Sequence, residues 1–134
     1  MTRYLLDTNS LSDMLRRPRG PVRTTIQRRG LTTRVLTSII VAAALRFGAE
    51  KKKSDKLAAD VEGLLETMTV APFESPAETR YALLRARLER AGAPIGGNDM
   101  LIAAHALALG CVLVTDNVGE FSRVPDLRVE NWLR

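Results

Sequence analysis

Two hydrophobic rhythms alternate along the chain. Short apolar runs end at a polar residue, and a helical spacing of apolar positions follows. "RYLLD", residues 3–7, reads as a strand, and "SLSDMLRR" after it sets Leu11, Met14 and Leu15 at helical spacing before the "PRGP" punctuation of 18–21. Val22 to Arg29 predicts a strongly basic helix stopped by Gly30. "TRVLTS" reads as a second strand that hands over at Ser38 to the helix "IIVAAALRFGAEKK". In "SDKLAADVEGLLETM", Leu57, Val61, Leu64, Leu65 and Met68 follow the 3.6 period, with Ser54 placed to cap the start. "TVAPF" is a short strand, and "PAETRYALLRARLERAG" puts Ala77, Tyr81, Leu84, Leu88 and Ala91 on one face with Arg80 and Arg87 on another. Asn98 is placed to cap "DMLIAAHALALG", Gly110 ends that helix, and the apolar strand "CVLVT" stops at Asp116 and Asn117. "GEFSRVPD" reads as irregular chain before a last strand, "LRVEN", with Trp132 packed near the C-terminus.

Strands and helices alternating at these lengths imply βαβ units, a parallel sheet and helices on both of its faces. In such sheets ligands bind outside the carboxyl ends of the strands. Asp7 and Asp116 each stand at the carboxyl end of a strand, and Asp99 lies in the first turn of the helix that feeds the strand of Asp116. All three are expected to face one crevice. The competing reading is local: Asp7 or Asn9 caps the next helix, since short polar side chains accept the free N–H groups there.

Composition narrows the setting. The chain has 134 residues, enough for one domain with a sizeable core, and 46% hydrophobic with 26% charged residues fits a globular protein. Twenty Lys and Arg against 15 Asp and Glu give a net charge of +5, which favours an anionic partner such as nucleic acid. That charge is concentrated at Arg16, Arg17, Arg19, Arg23, Arg28 and Arg29 and again at Lys51, Lys52 and Lys53, though solvated helix faces account for it equally well. The single cysteine, Cys111, sits in an apolar run and can form no internal disulfide, as expected of a buried thiol in a reducing compartment. No secretory signal pattern opens the chain, and the longest mostly apolar stretch, 100–114, is shorter than a membrane helix requires; a cytoplasmic location is expected.

Carboxylates gathered within a few ångströms of one another raise each other's pKa, and something must offset the charge. A hard divalent cation does so: Mg²⁺ or Mn²⁺ takes carboxylate and water oxygens and keeps positions open for a phosphate. Such a site suits phosphodiester hydrolysis, with a basic surface holding the polyanion over the acidic pocket. Asn9, Ser38, Thr115 and Asn117 are placed to orient carboxylate oxygens or water around it.

The stretches "LLDTNSLSD", "TSIIVAAALRFGAEKK", "PIGGNDMLIAAHALALG", "VLVTDN" and "RVENWL" together resemble PIN-domain ribonucleases, specifically VapC-type toxins of type II toxin-antitoxin systems, over nearly the whole chain. The resemblance implies one PIN-like domain over 1–134, with a three-layer α/β/α architecture around a central, mainly parallel sheet. It implies Mg²⁺- or Mn²⁺-dependent cleavage of RNA, neutralisation by a VapB-type antitoxin, and a homodimer. By position, Asp7, Asp99 and Asp116 match the family's acidic metal-site residues, and Asn9, Ser38 and Thr115 match polar residues around them.

One motif departs from the pattern. Such proteins usually carry a glutamate in the helix after the second strand, and here that position is Ala44, in "ALRFGA". Glu50 cannot replace it, because six residues along a helix is about 9 Å of rise and roughly 600° of rotation. The chain is therefore expected to be an inactivated or weakened nuclease, and a non-catalytic module that binds RNA or antitoxin is the alternative. His105 lies on a different face from Asp99 and reads as a structural or surface histidine. A receiver or aspartyl phosphotransferase is disfavoured, because no second aspartate stands two residues after Asp7 and no lysine follows "VLVT".

Overall fold

A computed structural model describes all residues, Met1 to Arg134. Its centre is β1 (Tyr4–Leu6), whose three side chains are all buried, as a strand covered by helices on both faces requires. Five strands form one wholly parallel sheet in the order β3-β2-β1-β4-β5, with β2 at Val35–Ser38, β3 at Thr69–Ala71, β4 at Val112–Val114 and β5 at Val129–Glu130. The chain runs outward from β1 to β3, then returns to place β4 on the other side of β1. The strand order thus reverses between β1 and β4, the position where open parallel sheets hold their ligands.

Seven helices connect the strands. α1 (Thr8–Arg16), α2 (Pro21–Arg28), α3 (Ile39–Lys52) and α4 (Asp55–Leu65) pack among themselves, while α5 (Ala77–Arg90) lies along α6 (Gly97–Leu109) and α7 (Val118–Phe121) sits beside β5. One continuous cluster of 29 buried apolar residues joins these elements, from Leu5 and Leu6 in the central strand to Phe121 and Trp132.

Several details differ from the sequence reading. α6 starts at Gly97 with Gly96 as its cap, so Asn98 lies inside the first turn instead of capping it. The stretch read as irregular, 119–126, begins inside α7. Asp7 does cap α1, its carboxylate accepting from the Thr8 N–H, as the local reading of that residue has it. Polar side chains also hold the frame. Asp13, fully buried in α1, accepts from Arg17 and from the Val22 N–H, tying α1 to the start of α2. Arg29 bonds Glu130 and the Tyr4 hydroxyl and lies over the Tyr4 and Trp132 rings, which fastens the last strand to α2 and β1.

Candidate active site

The carboxyl ends of β1 and β4 meet at Asp7 and Thr115. Asp7 is 4% exposed, and the Thr115 hydroxyl donates to its Oδ2 at 2.8 Å while the Thr8 N–H donates to its Oδ1 at 2.7 Å. Thr115 Oγ1 also accepts from Asn9 Nδ2 at 3.2 Å and from the Asn117 N–H at 3.1 Å, so one buried hydroxyl organises the junction. Asn9 Oδ1 in turn accepts from the Asp116 N–H at 3.0 Å. Burial pushes the Asp7 pKa up, and the hydrogen bonds from Thr115 and Thr8 oppose that rise.

Asp99, in the first turn of α6, shares this pocket. Its carboxyl is raised to about 7, first by burial, then by a hydrogen bond and charge repulsion from Glu120, with Asp7 adding a smaller repulsion. Glu120 lies on the opposite side of the balance. The Gly96 N–H donates to its Oε1 at 2.6 Å and Asn117 Nδ2 donates to its Oε2 at 2.5 Å, which with Asp99 and Arg123 holds its pKa below the usual range. The two carboxyls are thus pushed apart, Asp99 raised to about 7 and Glu120 held low.

Glu120 was not among the acids expected from the sequence, and Asp116, which was, lies at the exposed edge of this junction. Asp116 is exposed; its Oδ1 accepts from Asn131 Nδ2 at 3.1 Å and lies 3.7 Å from Arg134 Nε. Its backbone stays at the junction, the N–H donating to Asn9 Oδ1, while its carboxylate meets Asn131 and Arg134. A signal for Glu120 is present in the sequence: Asn117 caps α7 and Glu120 follows three residues later, the spacing of a capping box.

The remaining predicted residues fall around this centre. Ser38 is buried at the end of β2, but its oxygen accepts from the Ile40 N–H and pairs with His105 Nδ1 at 2.7 Å, so its hydroxyl serves α3 and α6 without bonding an acid. His105 is buried edge-on to Phe73, and burial lowers its pKa against the Pro72 carbonyl and Glu74, consistent with a structural histidine. Ala44 is half-buried and lines a cavity of about 220 Å³ together with Thr8, the residue next to Asp7.

No three His, Cys, Asp or Glu side chains converge closely enough to form a ready-made metal cage. The donor set nevertheless suits a hard cation: Asp7, Asp99 and Glu120 are oxygen donors that sense each other's charge, and two of them carry raised pKa values that a nearby positive charge would relieve.

Comparison with known proteins gives a consistent result. The PIN domain family model matches residues 4–127. The chain is 35% identical to the tRNA(fMet)-specific endonuclease VapC of Salmonella typhimurium, over 98% of this chain and 99% of the relative. It is 34% identical to Ribonuclease VapC2 of Rickettsia felis, over 96% and 97%. Among solved structures, VapBC from Salmonella typhimurium bound to DNA matches with a TM-score of 0.91 at 34% identity, covering 98% of this chain and 99% of that one. VapBC2 from Rickettsia felis, bound to a DNA fragment from its promoter, matches with a TM-score of 0.90 at 33% identity and the same coverage. No helix of the chain is long and apolar enough to cross a membrane.

Proposed function

This chain belongs to the PIN-domain family, among its VapC-type ribonucleases, and from that premise we propose that it is the toxin of a VapB–VapC pair, an endoribonuclease that hydrolyses RNA phosphodiester bonds with Mg²⁺ or Mn²⁺. The observation that carries this reading is the pairing of Asp99 with Glu120 beside Asp7 where the strand order reverses. Asp7, Asp99 and Glu120 are the residues that would hold the ion, with the exposed Asp116 carboxylate at the edge of the same junction. A bound divalent cation supplies charge neutralisation and a more acidic water.

The protein's own groups do the positioning. Thr115 fixes the Oδ2 edge of Asp7, and Asn117 with the Gly96 N–H fixes both oxygens of Glu120. Asp99, whose pKa of about 7 reflects burial and the nearby charge of Glu120, would give up its proton when a cation binds beside it. The cationic side chains of α1 and α2 offset phosphate charge along a bound strand. A VapB-type antitoxin and a second copy of the chain are the protein partners of this reading. The RNA to test first is tRNA(fMet), which the name of the Salmonella relative specifies.

Ala44 occupies the place where a further carboxylate is expected, so the chain as it stands is a weakened nuclease. The same residue favours a second reading, a PIN-like module that binds RNA or antitoxin without cutting. The deciding experiment restores the carboxylate. Ala44→Glu with Mg²⁺ is expected to cleave RNA at least about tenfold faster than the parent, the low end of what a supporting metal-site residue contributes. If restored and parent proteins are equally inactive while both bind antitoxin, the binding module is the correct reading.

A further inference from the structure

The cavity beside Ala44 has a chemical character of its own. Two helices line it with matching residues at i, i+4 and i+8: Thr8, Ser12 and Arg16 on α1, and Ala44, Gly48 and Lys52 on α3. Apolar side chains of α3 and α4 complete its walls. A Cβ added at Gly48 would meet nothing within 4 Å, so the space extends along the helix and is not blocked there. Arg16 and Lys52 both stand at this cavity, and neither has an acidic partner among the protein's salt bridges. The result is an apolar hollow with hydroxyls at the acidic-site end and two unpaired cations.

We propose that this hollow between α1, α3 and α4 binds a small aliphatic monocarboxylate, its charge set between Arg16 and Lys52 and its alkyl body against the apolar walls. A volume of about 220 Å³ accepts the body of butyrate, since an engineered apolar cavity of roughly 150 Å³ binds benzene. The inference takes its ligand class from the cavity and its cations.

The test is a titration of the isolated chain with acetate and butyrate, followed by the backbone and methyl NMR signals of Thr8, Ala44 and Gly48. Saturable shifts are expected with half-saturation at about millimolar concentration, butyrate binding more tightly than acetate. Butyramide, the same shape without charge, should bind at least about fivefold more weakly, and the Arg16→Gln, Lys52→Gln double variant should weaken butyrate binding by a similar factor, as two exposed charge pairs allow. Ala44→Gln fills the hollow with a neutral side chain and should abolish the shifts. Equal shifts with butyrate and butyramide, or butyrate binding undiminished in both variants, overturns the proposal.

Two readouts keep this separate from the nuclease reading. If Ala44→Glu cleaves RNA but the parent binds no carboxylate, the cavity proposal fails and the nuclease stands. If the parent binds butyrate but Ala44→Glu remains inactive, the cavity proposal stands and the nuclease reading fails.

Discussion

Asp99→Asn should make the protein more stable, and only at the pH where the native carboxyl is forced to ionise. The folded carboxyl titrates at about 7 against an ordinary 3.8, so the folded chain holds this proton more tightly than the unfolded one. Its contribution to stability is therefore fully present below about pH 4 and is lost as the pH rises through 7. The full gap corresponds to at most ~4 kcal/mol, and solvent screening at this half-buried position reduces it to about 1–2 kcal/mol. Asparagine removes the charge and keeps a donor for Glu120, so the variant should gain that amount above pH 7 and nothing near pH 4. In a domain of this size that is a rise in Tm of about 3–10 °C. Thermal melts of both proteins in a chelator, from pH 4 to 8.5, measure it directly. A gain of equal size across the whole range, or none at pH 8, would refute the placement of Asp99 in a charge-repelling pocket.

Three other perturbations probe separate parts of the molecule. Glu120→Gln should lower the Asp99 pKa from about 7 part of the way to its ordinary value, leaving the share due to burial, as read by NMR titration of the carboxyl carbon. Thr115→Val removes the donor to Asp7 Oδ2 and the acceptor for Asn9 and Asn117, and should cost about 1–3 kcal/mol in a denaturant titration while moving the Asp7 pKa further up. Arg29→Ala loses the Glu130 ion pair and two aromatic faces, for about 1 kcal/mol, with a red shift in Trp132 fluorescence as the last strand loosens.

Alternation of strand and helix was readable from the sequence because apolar runs and helical spacing seldom coincide, and it led directly to a parallel sheet with Asp7 at a strand end. The chain's return to β4 beside β1, which makes that strand end a junction, is a long-range fact that no local pattern contains. Asp116 shows the limit most clearly. Standing just past a strand end decides that a residue is near the junction, whereas the partners its carboxylate finds there, Asn131 and Arg134, follow the last strand and no local pattern announces them. Glu120 was hidden for a related reason: a helix of four residues leaves no periodicity, only the Asn117 to Glu120 spacing. Asn98 was displaced as a cap by the glycine pair before it, which admits the chain to the helix without a side chain.

The junction between β1 and β4 also governs when this protein can exist during its own synthesis. Asp7 and Thr115 are 108 residues apart, so the first acid made must wait for almost the last strand before its site forms. At about 5–20 residues per second, a ribosome needs on the order of 5–20 s to cover that interval. For most of it the growing chain carries Asp7 with neither Asp99 nor Thr115 beside it, and Glu120 comes later still. A nascent chain that has not yet reached Glu120 is therefore expected to be harmless to the message and the transfer RNAs beside it.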